Sequence, residues 1–146
     1  MMSKTAVKAK IRRLESRDVK TVSGIIEDPF HGWVTRGTIE SELENIFQKQ
    51  SYNIYRFVDA FVMDVGGEII GYGGIWSLRY DPDTFAMMDW LSIKKEYRDR
   101  GLGSNFMKFL FKKAKKRKLK HIIVETDNAN KRAVKFYKKH GFRKLC

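Results

Sequence analysis

A chain of 146 residues, 42% apolar and 13% aromatic with a formal charge of +13, is long enough to bury a core and too apolar to be disordered. No apolar run reaches the roughly 20 residues of a membrane-spanning helix, and Met1 to Arg13, though basic, lacks the apolar stretch of a secretory signal. One cysteine, Cys146, excludes an internal disulfide and a cysteine-based metal cluster; an ordinary exposed thiol in a cytoplasmic protein without membrane contact is expected.

No repeat or linker divides the sequence, so residues 1–146 are expected to form a single domain. Lys10 to Leu14 suits a short first strand. Asp18 is placed to cap a helix reaching Ile26, which Asp28-Pro29 ends. Phe30-His31-Gly32-Trp33 opens an aromatic loop, and Thr38 caps a second helix to about Gln48. Tyr55 to Val65 and Ile69 to Ser77 are β-branched and aromatic around a Gly66-Gly67 turn, and Phe85 to Ile93 follows a second turn at Pro82. Three strands joined by tight turns are expected to be antiparallel neighbours.

Arg98-Asp99-Arg100-Gly101-Leu102-Gly103 then separates the apolar run ending at Ile93 from a helical run beginning at Ser104. Two glycines here let the backbone approach a bulky anion. The first amides of the following helix have no internal acceptor and lie at the positive end of its dipole. A pyrophosphate fits such a place. Phe106, Met107, Leu110, Phe111 and Ala114 recur at helical spacing as a core stripe, with lysines between them. His121 to Val124 reads as a short buried strand, and Lys131 to His140 as a last helix closed by Gly141. The order βααβββαβα predicts an α/β fold whose sheet is antiparallel in its first half and gains a crossover at its end.

Charge is unevenly placed. Residues 1–93 hold 11 Lys+Arg against 13 Asp+Glu, whereas residues 94–146 hold 19 against 4. Seven of the nine residues from Lys112 to Lys120 are basic, which suits a solvated helix face or a contact with RNA or another acidic surface. His31, His121 and His140 are scattered without metal spacing, so surface or packing roles are expected and no metal.

Downstream of the glycine loop, Asn130, Ala133, Phe136, Tyr137, Gly141 and Phe142 form a second motif. With Arg98, Gly101 and Gly103, it resembles the GCN5-related N-acetyltransferase (GNAT) superfamily, which pairs an Arg/Gln-x-x-Gly-x-Gly/Ala loop with an Asn-x-x-Ala-x-x-(apolar)-Tyr helix ending in Gly-Phe. The resemblance spans about Phe85 to Phe142. It implies a mixed, mostly antiparallel central sheet flanked by helices, and transfer of an acetyl group from acetyl-CoA to a primary amine.

Residue by residue, the resemblance implies that the amides of Arg98, Asp99, Arg100, Gly101, Leu102, Gly103 and Ser104 hold the pyrophosphate. The backbone of Leu91, Ser92 and Ile93 would pair with the pantetheine arm, and Asn130, with Ala133 and Phe136 on the same helix, would contact that arm. Tyr137 would protonate the departing thiolate. The amine must be neutral to attack, so a base or a water chain is needed. Glu125, twelve residues before the tyrosine, matches the catalytic glutamate of the ribosomal-protein alanine acetyltransferase branch; Asp89 is a second candidate. Phe30 to Leu43, with Trp33, Thr38 and Glu42, resembles N-terminal protein acetyltransferases, which implies a protein α-amine as first acceptor and a small amine or lysine as second. A ribosomal or other nucleic-acid-associated substrate would give the basic run a role. Superfamily members continue past Gly-Phe with a strand, a turn and a strand, whereas only Phe142 to Cys146 follow here; a shortened hairpin and a homodimer covering the open edge are expected.

Two other classes share features of the chain. A dinucleotide-binding domain would use Gly101-Leu102-Gly103 with Glu125 about 20 residues on, but Phe106 stands where the third glycine belongs. A non-catalytic basic module would bind RNA through Lys112–Lys120, without any helix-turn-helix or zinc signature.

Overall fold

The computed structural model describes residues 8–26, 36–47 and 54–145. The loop Phe30-His31-Gly32-Trp33 and Cys146 lie outside the described residues.

The strands are β1 (Lys10–Arg13), β2 (Tyr55–Val65), β3 (Glu68–Leu78), β4 (Phe85–Met88), β5 (Ser92–Ile93) and β6 (His121–Ile123). The helices are α1 (Val19–Ile25), α2 (Arg36–Asn45), α3 (Leu102–Lys116) and α4 (Lys131–Lys139). The sheet runs β1-β2-β3-β4-β6, with β5 also on β3. Every pair is antiparallel except β4 with β6, which is parallel and closes the crossover through α3. This is the mixed, mostly antiparallel sheet expected from the order of elements.

Side chains on β2 alternate between two cores, as strand geometry requires. Ala60 and Val62 join Val19, Val22, Ile39 and Leu43 beneath α1 and α2. Phe61 and Met63 join Phe106, Met107 and Leu110 of α3 on the other face. The α3 stripe is therefore core, as its period predicts.

Element ends differ from expectation in several places. Asp18 precedes α1 without capping it; its carboxylate instead accepts from the Arg12 guanidinium (2.8 and 3.0 Å) and from the Glu15 N–H (2.8 Å). Helix α2 starts at Arg36, two residues before Thr38, and stops at Asn45. Most consequentially, the strand expected over Phe85–Ile93 is two strands. Met88 faces Ile75 and Ser92 faces Tyr72, so the three residues 89–91 answer only Gly73 and Gly74 on β3. One residue is extra, as in a bulge.

The far end of α3 is held by a buried carboxylate. Asp59, 5% exposed in its side chain, accepts from Arg117 just past α3 and from Arg13 at the end of β1. Arg117 also stacks on Phe57, its guanidinium 3.8 Å from the ring centre. Lys113 lies 5.7 Å and 5.4 Å from the ring centres of Phe61 and Phe109. Two of the seven charges in the basic run are thus engaged in holding α3 to the sheet.

Burial alone would raise the Asp59 carboxyl, but bonds and charges from Arg117 and Arg13 outweigh it and hold the group below its ordinary 3.8. Arg117→Ala is expected to cost about 1–2 kcal/mol in urea unfolding, held to that range because Arg117 is itself 38% exposed. A depressed folded-state pKa stabilises above the unfolded value and loses that contribution as pH falls through the folded one. Stability should therefore drop below about pH 4 in the native protein, and less steeply in Asp59→Asn.

Candidate active site

The extra residue at 89–91 parts the sheet. Strand β5 follows β3, with the Lys94 N–H donating to the Ile70 carbonyl at 2.6 Å, whereas β6 stays with β4. The opening between them becomes a pocket of about 270 Å³. One wall is Leu91, Ser92 and Ile93; the opposite wall is α4 and its N-cap, through Asn130, Ala133, Phe136 and Tyr137. The floor of one end is the glycine loop and the first turn of α3.

That loop is shaped by its backbone. Asp99 and Gly101 both adopt left-handed conformations, at φ 62° and 77°, which the glycine tolerates without strain. Helix α3 begins immediately after Gly101, two residues earlier than Ser104. The Asn105 N–H already donates to the Gly101 carbonyl at 3.0 Å, so the amides of Leu102, Gly103 and Ser104 are the ones left without a helical acceptor. Helix α4 crosses closely here, since a Cβ on Gly103 would come within 3.3 Å of the Phe136 ring. The geometry suits a pyrophosphate over these amides and an extended arm running past β5 toward Tyr137.

Arg98, Asp99, Gly101, Leu102, Gly103 and Ser104 all line the pocket. Arg98 also anchors the loop, its Nε donating to the Ile93 carbonyl at 2.9 Å. Arg100 stands apart from the lining and lies over the Tyr97 ring, 5.4 Å from its centre. Asn130 lines the pocket as the N-cap of α4, its Oδ1 accepting from the Ala133 N–H at 3.2 Å. The cap consumes the carbonyl end and leaves the amide NH2 as the group able to reach a ligand.

Neither carboxylate lines the pocket. Glu125 is exposed, because β6 ends at Ile123 and the chain has left the sheet by then. Asp89 sits at the break itself. The Tyr72 hydroxyl donates to its Oδ2 at 2.6 Å and the Trp90 N–H to its Oδ1 at 2.9 Å. Burial raises the Asp89 carboxyl, and those two bonds offset part of the rise. Tyr137 is pushed up to about 12, first by burial and then by the charge of Asp89. Glu42 of α2 is raised by partial desolvation and by Asp89, and Tyr55 of β2 is raised by burial and by both carboxylates. Asp89, Glu42, Tyr55 and Tyr137 therefore share one electrostatic neighbourhood.

Trp90, Tyr97, Thr126, Arg132 and Lys139 also line the pocket and were not among the expected residues. Arg132 and Lys139 are seven apart on α4, two helical turns, and that spacing beside Asn130 and Phe136 is the sequence signal for them.

The model of the acetyltransferase (GNAT) family matches residues 24–142. A probable N-acetyltransferase named camello, from Xenopus laevis, is 24% identical over 117 residues, covering 79% of this chain; the chain spans about half, 51%, of that relative. Among solved structures, Ard1 from Thermoplasma volcanium is similar at 21% identity and TM-score 0.73, over 96% of this chain and 86% of that one. The PaiA N-acetyltransferase of Thermoplasma acidophilum, solved with coenzyme A, is similar at 18% identity and TM-score 0.73, over 93% and 90% of the two chains. With a family match over most of its length and the same fold in solved relatives, this chain belongs to the acetyltransferase (GNAT) family.

Proposed function

We propose that this protein transfers an acetyl group from acetyl-CoA to a primary amine by direct attack. The observation that carries the reading is the break at 89–91, where a raised carboxylate, Asp89, acts on the half-buried phenol Tyr137 beside a pocket suited to coenzyme A.

In this reading the amides of Leu102, Gly103 and Ser104 take the pyrophosphate. Leu91, Ser92 and Ile93 pair with the pantetheine arm from one side, and Asn130, Ala133 and Phe136 flank it from the other. Acetyl-CoA supplies the thioester whose C–S bond breaks. Asp89 accepts a proton from the ammonium of the acceptor, directly or through one water, and frees the lone pair that forms the new C–N bond. Tyr137 gives its hydroxyl proton to the sulfur as it leaves, and the second proton of the attacking nitrogen returns to the phenolate, directly or through water, as the amide forms. Asp89 is preferred to Glu125 as base because it is half-buried at the break, whereas Glu125 is solvent-exposed.

The acceptor is a cation before it reacts, and the shared field of Asp89 and Glu42, with Tyr55 beside them, favours one. We take a protein N-terminal α-amine as first acceptor, on the resemblance of Phe30 to Leu43 to N-terminal acetyltransferases. A small amine or a lysine side chain is the second reading, favoured by the same carboxylates because they recognise charge rather than a peptide backbone.

Calorimetric titration with acetyl-CoA, with NAD and a short RNA as controls, tests the cofactor; binding of RNA but not acetyl-CoA would favour a basic binding module instead. Thiol release with a free peptide N-terminus, a diamine and an α-blocked lysine peptide then ranks the acceptors. Tyr137→Phe is expected to lower kcat by about 100-fold or more while changing acetyl-CoA affinity by less than about twofold; unchanged turnover removes the tyrosine from the mechanism. Gly103→Val, which drives a side chain into Phe136, is expected to weaken acetyl-CoA binding by about tenfold or more. The base must be ionised to act, so kcat/KM should rise with pH through a value above the ordinary 3.8 of an aspartate. That limb should vanish in Asp89→Asn and persist in Glu125→Gln.

A further inference from the structure

His140, at the end of α4, touches one wall and the floor of the site. Its ring centre lies 4.7 Å from that of Phe136, and its Nε2 lies 3.1 Å from the Ser104 hydroxyl oxygen. Ser104 belongs to the first turn of α3, whose amides are open, and it lines the pocket. The backbone N–H of His140 is bonded to the Phe136 and Tyr137 carbonyls at 3.3 and 3.1 Å, which fixes where the ring starts from. A single imidazole thus links the turn suited to an anion with the helix that carries the tyrosine.

We infer that His140 is a positioning residue for the pyrophosphate of the cofactor, acting by turning the Ser104 hydroxyl toward it; this rests on the reading of the pocket as a coenzyme A site. A serine hydroxyl has one proton to give. When the neutral ring accepts at Nε2, that proton points at the ring and is lost to the pocket. When Nε2 carries a proton, the ring donates to Ser104, whose own proton is then free for a phosphate oxygen. The imidazolium can only donate, so protonation enforces the second arrangement and adds a positive charge near a doubly charged group.

By linkage, an anion that prefers the protonated ring also raises the ring's pKa. In the free protein burial, then Lys139 of α4 and Lys108 of α3, hold the imidazole below its ordinary 6.5. These two lysines are the charged groups acting on the ring from the helices that pack around it, and neither supplies a counter-charge. The ring is therefore neutral near pH 7 and is recruited by the ligand. Affinity rises as pH falls and is lowest above the ligand-bound pKa.

The test uses 3′-dephospho-coenzyme A, whose pyrophosphate stays ionised throughout, because the 3′-phosphate would titrate in the same window. Calorimetry on the whole chain at about pH 5 and about pH 8 should show affinity about tenfold higher at the acid end, the equivalent of a one-unit rise in the ring's pKa. His140→Gln, which keeps an amide donor and acceptor, should bind equally at both pH values and close to the native affinity at the higher one. Ser104→Ala should lose most of the acid gain although the imidazole remains. A packing role alone predicts the same ratio in all three proteins, and that result overturns the inference. The His140 ring signal in the native protein, followed by NMR, should titrate at higher pH with ligand than without; an unchanged midpoint overturns it without any variant. Absence of binding by the native protein at either pH refutes the coenzyme A reading itself, a different failure from binding without pH dependence.

Discussion

The slip in register at residues 89–91 is the constraint on which the site depends. A continuous Phe85–Ile93 strand would leave β3 and β6 on its two sides and no opening in the sheet. With one residue extra, the chain keeps β6 only along β4 and keeps β3 beyond the break. The slip needs room on β3, and Gly73 and Gly74 face it there. A Cβ on Gly73 would lie 2.9 Å from Leu91 and Phe106 side-chain atoms, and one on Gly74 would lie 2.8 Å from the Asp59 carbonyl oxygen. The missing side chain at Gly73 is thus what lets α3 and the wall of the pocket pack so close, while the one at Gly74 lets β2 approach. The Asp89 N–H still finds the Gly74 carbonyl at 2.8 Å, so the break leaves that donor satisfied.

The same break separates two opposite electrical demands. On one side, the open turn of α3 and the pocket residues Arg98, Arg132 and Lys139 suit an anion. On the other, Asp89 and Glu42 suit a cation. The reagents proposed here, an anionic thioester carrier and an ammonium acceptor, are sorted by charge before any shape is read. The excess of positive charge in the last third of the chain then has more than one physical origin. Part of it borders the pocket, and part, at Lys113 and Arg117, stacks on rings and neutralises Asp59. A composition that invites a nucleic-acid reading is met in part by internal packing.

Features fixed by a few consecutive residues were legible in the sequence; those fixed by partners elsewhere in the fold were not. Gly101 reads as a special backbone position because few other residues adopt its φ without strain, and Asn130 to Phe142 reads as a capped helix because capping and period are local. The break inside Phe85–Ile93 depends on glycines of β3, far away in sequence, and the apolar run gives no sign of it. The choice between Glu125 and Asp89 has the same origin. In the sequence Glu125 is a carboxylate at a strand end and Asp89 one within a strand, but their exposure is set by where β6 stops and by Tyr72 reaching across from β3. His140 was readable only as an isolated histidine, since Ser104 is 36 residues away.

Tyr137 poses an apparent difficulty as an acid, because a phenol pushed up to about 12 holds its proton tightly. Part of that elevation comes from the negative charge of Asp89. In the proposed reaction burial, the larger cause, remains, but the part due to Asp89 is lifted in sequence. Asp89 takes the proton of the acceptor amine and becomes neutral, and the field that strengthens the hold of Tyr137 on its proton disappears. The acid therefore becomes stronger after the base has acted, when a thiolate is about to form. Before that, an elevated pKa keeps Tyr137 protonated up to about pH 12, across the range above the Asp89 titration in which the base is ionised. In that proposed reaction, the charge of Asp89 at the strand break acting on Tyr137 of α4 orders two proton transfers.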